Sequence, residues 1–247
     1  MKPLSVRAGA MKNTWTAISG ILVLLWGCEQ HTLRRADYQV HGIDVSHYQS
    51  VIDWDTVAAQ QIHFAFVKAT EGATMNDTMF CHNWAEMKRI GIKRGAYHFY
   101  RPKTSALAQA DNFSRLVEME QGDLPPVLDV EVLDGVSKTI LINGIRTWLY
   151  QIEIRYNVKP IIYTSLKFYN KILAGHFDEY PIWIARYNFR EPTLACGRTW
   201  HFWQYGNQGR IKGIRGNVDF NVFNGSLSDL ELLCLTAPDN NVILSSK

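Results

Sequence analysis

Two acids two residues apart, Asp129 and Glu131, interrupt the apolar stretch "PPVLDVEV" (125–132). Side chains alternate along an extended strand, so Val127, Asp129 and Glu131 share one face while Leu128, Val130 and Val132 share the other. Two carboxylates this close in a partly buried place repel, and one must hold its proton to a higher pH than a free carboxyl. A protonated acid beside a carboxylate suits cleavage of a glycosidic bond. The acid protonates the leaving oxygen and the carboxylate stabilises positive charge at the sugar carbon. The same spacing also occurs in metal sites and structural ion-pair networks, so the pair alone leaves the chemistry open.

The elements that would position these acids alternate between strand and helix patterns. Strands are expected at 41–48, 63–70, 94–100, 125–132, 159–165, 180–187, 201–206 and 217–223. Helices fall between them, one starting after Asp53, one capped by Asn76 or Asp77 and ended by Gly91, and the longest over 137–156. Eight strands with intervening helices predict an α/β fold, a modified TIM-type (β/α) barrel. After the sixth strand the spacing is too tight for full helices, so the helices of the last third should be incomplete and its connections antiparallel or irregular.

Strands covered on both faces should read as nearly continuous apolar runs, which makes the polar exceptions informative. They are Asp44 in the first strand, Lys68 in the second, Tyr97 and His98 in the third, Asp129 and Glu131 in the fourth, Tyr163 in the fifth, Arg186 in the sixth, Gln204 in the seventh and Asp219 in the eighth. Most lie toward the C-terminal half of their strand, the end at which barrel enzymes build their sites. In a closed barrel the first and eighth strands are neighbours, so Asp44 and Asp219 would join Asp129 and Glu131 at one mouth. Lys68 and Arg186 would offset part of that charge. The aromatics Tyr100, Trp183, Tyr187, Trp203 and Tyr205 read mainly as core, whereas Tyr97 and Tyr163 are the first candidates to meet a sugar. Glu71 reads as a substrate-contacting or loop-fixing residue.

Composition narrows the partners. The 247 residues are 47% hydrophobic and 20% charged, typical of one globular domain, and carry a net charge of +3. That mild excess suits an anionic surface, but the chain has no Lys/Arg block of the kind nucleic-acid binding requires. Residues 1–28 have the form of a secretory signal: Lys2, Arg7 and Lys12, an apolar run from Ala17 to Trp26, then Gly27 and Cys28. Gly27-Cys28 resembles a lipoprotein cleavage site, which would leave Cys28 lipidated and the N-terminus attached to a membrane; Trp26 departs from that pattern, and the alternatives are an ordinary cleaved signal or an uncleaved anchor. Met11 is an alternative start. The expected organisation is a linker over 29–39, a catalytic barrel over 40–236 and a tail over 237–247, in a monomer exported to the periplasm or cell envelope. Cys81, Cys196 and Cys234 show no ligand spacing and read as thiols with at most one disulfide, and the His residues are scattered, so neither metal nor cofactor is expected.

The ordered set "GIDVSHYQ", "FVKATEG", "RGAYHFY", "LDVE", "KPIIYTS", "PIWIARY", "FWQYG" and "GNVDFNVFNG" resembles the glycoside hydrolase family 25 lysozymes, or Chalaropsis-type muramidases. Gln61, where that family usually has Gly or Arg, and Met75, where it prefers an aromatic residue or Leu, depart from the pattern. The resemblance implies retaining hydrolysis of the β-1,4 bond between N-acetylmuramic acid and N-acetylglucosamine in peptidoglycan. It casts Glu131 as general acid/base and Asp129 as either the nucleophile or the carboxylate that orients the sugar's 2-acetamido group, with Asp44 and Asp219 supporting them. A hydrolase of another N-acetylglucosamine-containing glycan and a non-catalytic wall-binding protein are the alternatives.

Overall fold

The computed structural model describes residues 32–236. The expected leader with Cys28 and the tail over 237–247 lie outside the described residues. Nine strands form one sheet: β1 (Val40–Val45), β2 (Phe64–Glu71), β3 (Met75–Asn76), β4 (Lys93–Phe99), β5 (Val127–Asp129), β6 (Ile161–Ser165), β7 (Ile182–Ala185), β8 (Phe202–Gly209) and β9 (Val218–Phe223). Eight of them run β1-β9-β8-β7-β6-β5-β4-β2, and pairing of β1 with β2 closes the ring, while β3 is a two-residue hairpin strand on β2. The barrel expected from sequence is therefore present. Every pairing around the ring is parallel except the two made by β9, which is antiparallel to both β1 and β8.

Alternation sorts the side chains of each strand into two layers. Outward residues such as Ile43, Val67, Leu128, Ile184 and Val222 pack with α1 (Trp54–Ala58), α2 (Phe80–Ile90), α3 (Ala106–Leu116) and α4 (Lys138–Tyr156). Inward residues Phe64, Phe66, Val127, Ile161, Trp183, Phe202 and Phe223 fill the barrel. Two glycines make room for those rings: a Cβ on Gly42 would sit 2.3 Å from the ring of Phe64, and one on Gly95 2.5 Å from that of Phe66. After β6 the covering thins to α5 (Leu166–Phe168) with a π-turn at Tyr169–Leu173, a 3-10 turn at Ala195–Gly197, and α6 (Leu227–Leu233); Leu230 of α6 and Cys234 just after it pack with the inward residues of the barrel.

Several local expectations are corrected. The strand expected over 125–132 pairs only over Val127–Asp129. It starts after Pro125 and Pro126, which have no N–H to donate, and its ladder ends because β4 stops at Phe99, so Glu131 stands just past the strand. The second helix starts at Phe80 rather than after Asn76 or Asp77, because Asp77 is engaged elsewhere: its carboxylate accepts from Met79 N (2.9 Å) and His47 N (3.0 Å) and pairs with His47 Nδ1 at 2.7 Å. Asp53 and Gly91 cap as expected, and Ser137, expected as the first residue of the longest helix, is its N-cap, accepting from Ile140 N. Gln61 holds φ 57°, a left-handed conformation that favours glycine. Thr32–Tyr38, part of the stretch read as a linker, is fastened to the barrel domain: Thr32 bridges to Gly209, Arg34 donates to the Gln60 and Gln61 carbonyls, and Arg35 lies 4.7 Å over the Trp203 ring. Cys81 is an exposed free thiol and Cys234 a buried one.

Candidate active site

A cavity of about 270 Å³ opens at the end of the barrel where the parallel strands finish, and Asp44, Asp129, Glu131, Asp219, Tyr97 and Tyr163 all line it. Each acid arrives there by a different local rule. Asp44 is the last inward residue of β1. Asp129 ends β5, and Glu131 follows two residues later. Asp219 is near the start of its strand, yet it reaches the same mouth because β9 runs backwards, which sets it directly opposite Asp44 in the ladder.

The environments of the four acids differ. Asp44 and Asp129 are each only 7% exposed, whereas Glu131 is open at the rim. Asp129 is held well above the ordinary carboxylate range by burial and then by the charge of Glu131, and its Oδ1 has no hydrogen-bond partner. Glu131 is also raised, by burial, against the opposing pull of Tyr163 and Lys68. Each of the two therefore keeps its proton to higher pH than a free carboxyl. Burial raises Asp44, which accepts from Asn221 Nδ2 at 2.7 Å and Gln204 Nε2 at 2.9 Å on Oδ2. Asp219 is pushed up to about 9 by burial and then by the charge of Asp44, to which it is hydrogen-bonded. The two acids thus hold a proton between them well above the ordinary carboxylate range.

The walls fix these groups. Tyr163 Oη donates to Gln204 Oε1 at 2.8 Å and Tyr187 Oη to the same oxygen at 3.0 Å. Trp183 forms the floor, stacked on Phe66 at 4.4 Å, and its Nε1 donates to Asn221 Oδ1 at 2.8 Å. Lys68 reaches the cavity but is anchored by Glu71 at 2.6 Å, and Glu71 is also gripped by Arg101 at 2.6 Å. Glu71 is therefore a loop-fixing residue. Burial would raise it, but the bonds from Lys68 and Arg101 outweigh this and hold it below the ordinary range.

Two strand residues do not join the site. Arg186 lies beyond β7 and donates to the Glu191 carbonyl at 2.5 Å instead of facing the acids. His98, next to Tyr97 in β4, faces outward as alternation requires. There it contacts Thr70 and Gln109 and stacks on Trp148, and burial lowers it to about 4, so it is neutral. Sequence reading passed over Tyr48 and Asn221. Asn221 was signalled by its place two residues after Asp219 on one strand face. Tyr48, 79% exposed at the cavity rim, follows β1 in a 3-10 turn that gave no periodic signal. Among the described residues no three His, Cys, Asp or Glu side chains converge to hold a metal ion.

Residues 43–214 match the model of the family "Glycosyl hydrolases family 25". The chain is 45% identical over 201 residues to "Uncharacterized protein YegX" of Escherichia coli (strain CFT073), spanning 79% of this chain and 74% of that protein. It is 38% identical over 223 residues to "Lysozyme M1" of Streptomyces globisporus, spanning 83% and 74%. The solved structure of a family 25 glycosyl hydrolase from Bacillus anthracis superposes with a TM-score of 0.76 at 31% identity, over 83% of this chain and 97% of that one.

Proposed function

Because the chain belongs to glycosyl hydrolases family 25 and is a glycoside hydrolase, we propose that it is a muramidase. It would cut the β-1,4 bond between N-acetylmuramic acid and N-acetylglucosamine in peptidoglycan with retention of configuration. The observation that carries the reading is the gathering of four carboxyl groups with unequal proton affinity around one cavity floored by Trp183.

In the proposed mechanism Glu131, at the open rim, gives its proton to the glycosidic oxygen as the bond to the sugar C1 breaks. The 2-acetamido carbonyl oxygen of the same sugar closes on C1 from the opposite face. Asp129 lies deeper and, ionised in the substrate complex while Glu131 holds the proton, takes the acetamido N–H proton, giving a neutral oxazoline. Water then attacks C1, Glu131 takes the proton from that water, Asp129 returns its proton to the acetamido nitrogen, and two inversions leave the configuration retained. Direct attack by Asp129 on C1 is the competing route, and its burial below Glu131 argues against it. Asp44 and Asp219 hold the floor of the site with one shared proton, so that the cavity does not carry four full negative charges.

Incubation of the purified protein with peptidoglycan and, separately, with chitin tests this function. We expect reducing ends from peptidoglycan alone, and at least a hundredfold less from folded Glu131→Gln, since general acid catalysis contributes roughly 10²–10⁴-fold. Turnover of chitin in preference, or binding without turnover, would overturn it.

A further inference from the structure

Gln204 is 2% exposed on the inner face of β8, and all four of its hydrogen-bonding capacities are used. Its Nε2 donates to Asp44 Oδ2 at 2.9 Å and Asp219 Oδ2 at 3.3 Å, and its Oε1 accepts from Tyr163 at 2.8 Å and Tyr187 at 3.0 Å. Acceptors on one side and hydroxyls on the other fix which way the amide points. An amide neither gains nor loses a proton in this range, so Gln204 stays constant while the acids around it titrate. Tyr163 and Glu131 line the same cavity, and Tyr163 is the hydrogen-bonding neighbour that draws the proton affinity of Glu131 down. The Tyr163 hydroxyl has one proton and therefore two competing acceptors.

We propose that Gln204 is a positioning residue for the cleavage reaction, linking the Asp44 and Asp219 pair to Glu131 by competing for the single Tyr163 proton. The proposal rests on the reading of Glu131 as the acid. While Glu131 is protonated, Tyr163 donates to Gln204. When Glu131 delivers its proton, its carboxylate becomes the stronger acceptor and Tyr163 turns to it. Tyr187 then keeps Gln204 Oε1 satisfied, so the amide does not release Asp44. The ionised acid is thereby stabilised only after the transfer. The charged and titratable groups facing Glu131 are Lys68 from β2, Asp129 from β5, Asp44 from β1, Asp219 from β9, and the two tyrosines.

The test is the alkaline limb of kcat/KM against pH, which reports the acid in the free enzyme. In Gln204→Leu, Tyr163 has no competing acceptor and donates to Glu131 throughout, so the limb moves to lower pH by about half a unit or more. In Tyr163→Phe the limb moves to higher pH. In the double variant it stays where Tyr163→Phe put it, because the competition no longer exists. Gln204→Met, which keeps the length of the side chain, gives the same reading if the Leu variant does not fold. An unmoved limb in the Gln204 variants would overturn the proposal. So would an equal shift with and without Tyr163, which would mean that Gln204 acts through the charge of Asp44 instead. An active Glu131→Gln would overturn the assignment of the acid itself, a different result from an inactive Glu131→Gln with an unmoved limb.

Discussion

Asp129 and Glu131 differ in how far water reaches them, and that difference divides their proposed roles. Asp129→Asn removes the base for the acetamido proton and should lower kcat by about 10²-fold or more. A 2-fluoro sugar substrate separates the two routes, because direct attack would leave a glycosyl adduct on Asp129 visible by intact mass. We expect no adduct, and strong inhibition by a thiazoline analogue of N-acetylmuramic acid, which mimics the cyclised acetamido group. The acids were legible in the sequence because each breaks an apolar strand. Arg186 and His98 break strands in the same way and are not in the site. Alternation puts His98 on the opposite face from Tyr97, and Arg186 lies past the end of its strand, where alternation no longer applies.

The reversed strand β9 is what completes the site, since it alone can bring the start of a strand to the mouth where the parallel strands end. Its direction was legible in part: the few residues between β8 and β9 are too short for a parallel crossover. The early end of β5 was not legible, because the apolar pattern continues to Val132 while the ladder depends on where β4 stops. The inner layer also sets limits on substitution. Gly42→Ala would place a Cβ 2.3 Å from the Phe64 ring, and such overpacking should cost about 1–3 kcal/mol in urea unfolding. Phe64→Leu in the same chain should recover part of that loss, since the two positions share one space.

At the scale of the whole molecule, the buried acids work against stability. An unfolded Asp ionises near its ordinary pKa of roughly 3.9, whereas folded Asp219 is pushed up to about 9. Between these values the folded state binds more protons, so this residue's contribution to stability falls as pH rises. Glu71 has the opposite sign: held low by Lys68 and Arg101, its contribution is present above the ordinary range and lost as pH falls. Asp219→Asn keeps a donor toward Asp44 without the titration, so its stability relative to the native chain should increase steadily from pH 4 to pH 8 in urea melts; a gap independent of pH would refute the assignment. Because the proposed substrate is peptidoglycan, we propose that the protein is exported to act at the cell wall. The most direct test of the central claim is the identity of the new reducing ends released from peptidoglycan, read by borohydride reduction and hydrolysis. A muramidase converts muramic acid to muramicitol and leaves glucosamine unreduced, which is the predicted result; glucosaminitol would mean that the other glycosidic bond is cut and would contradict the account.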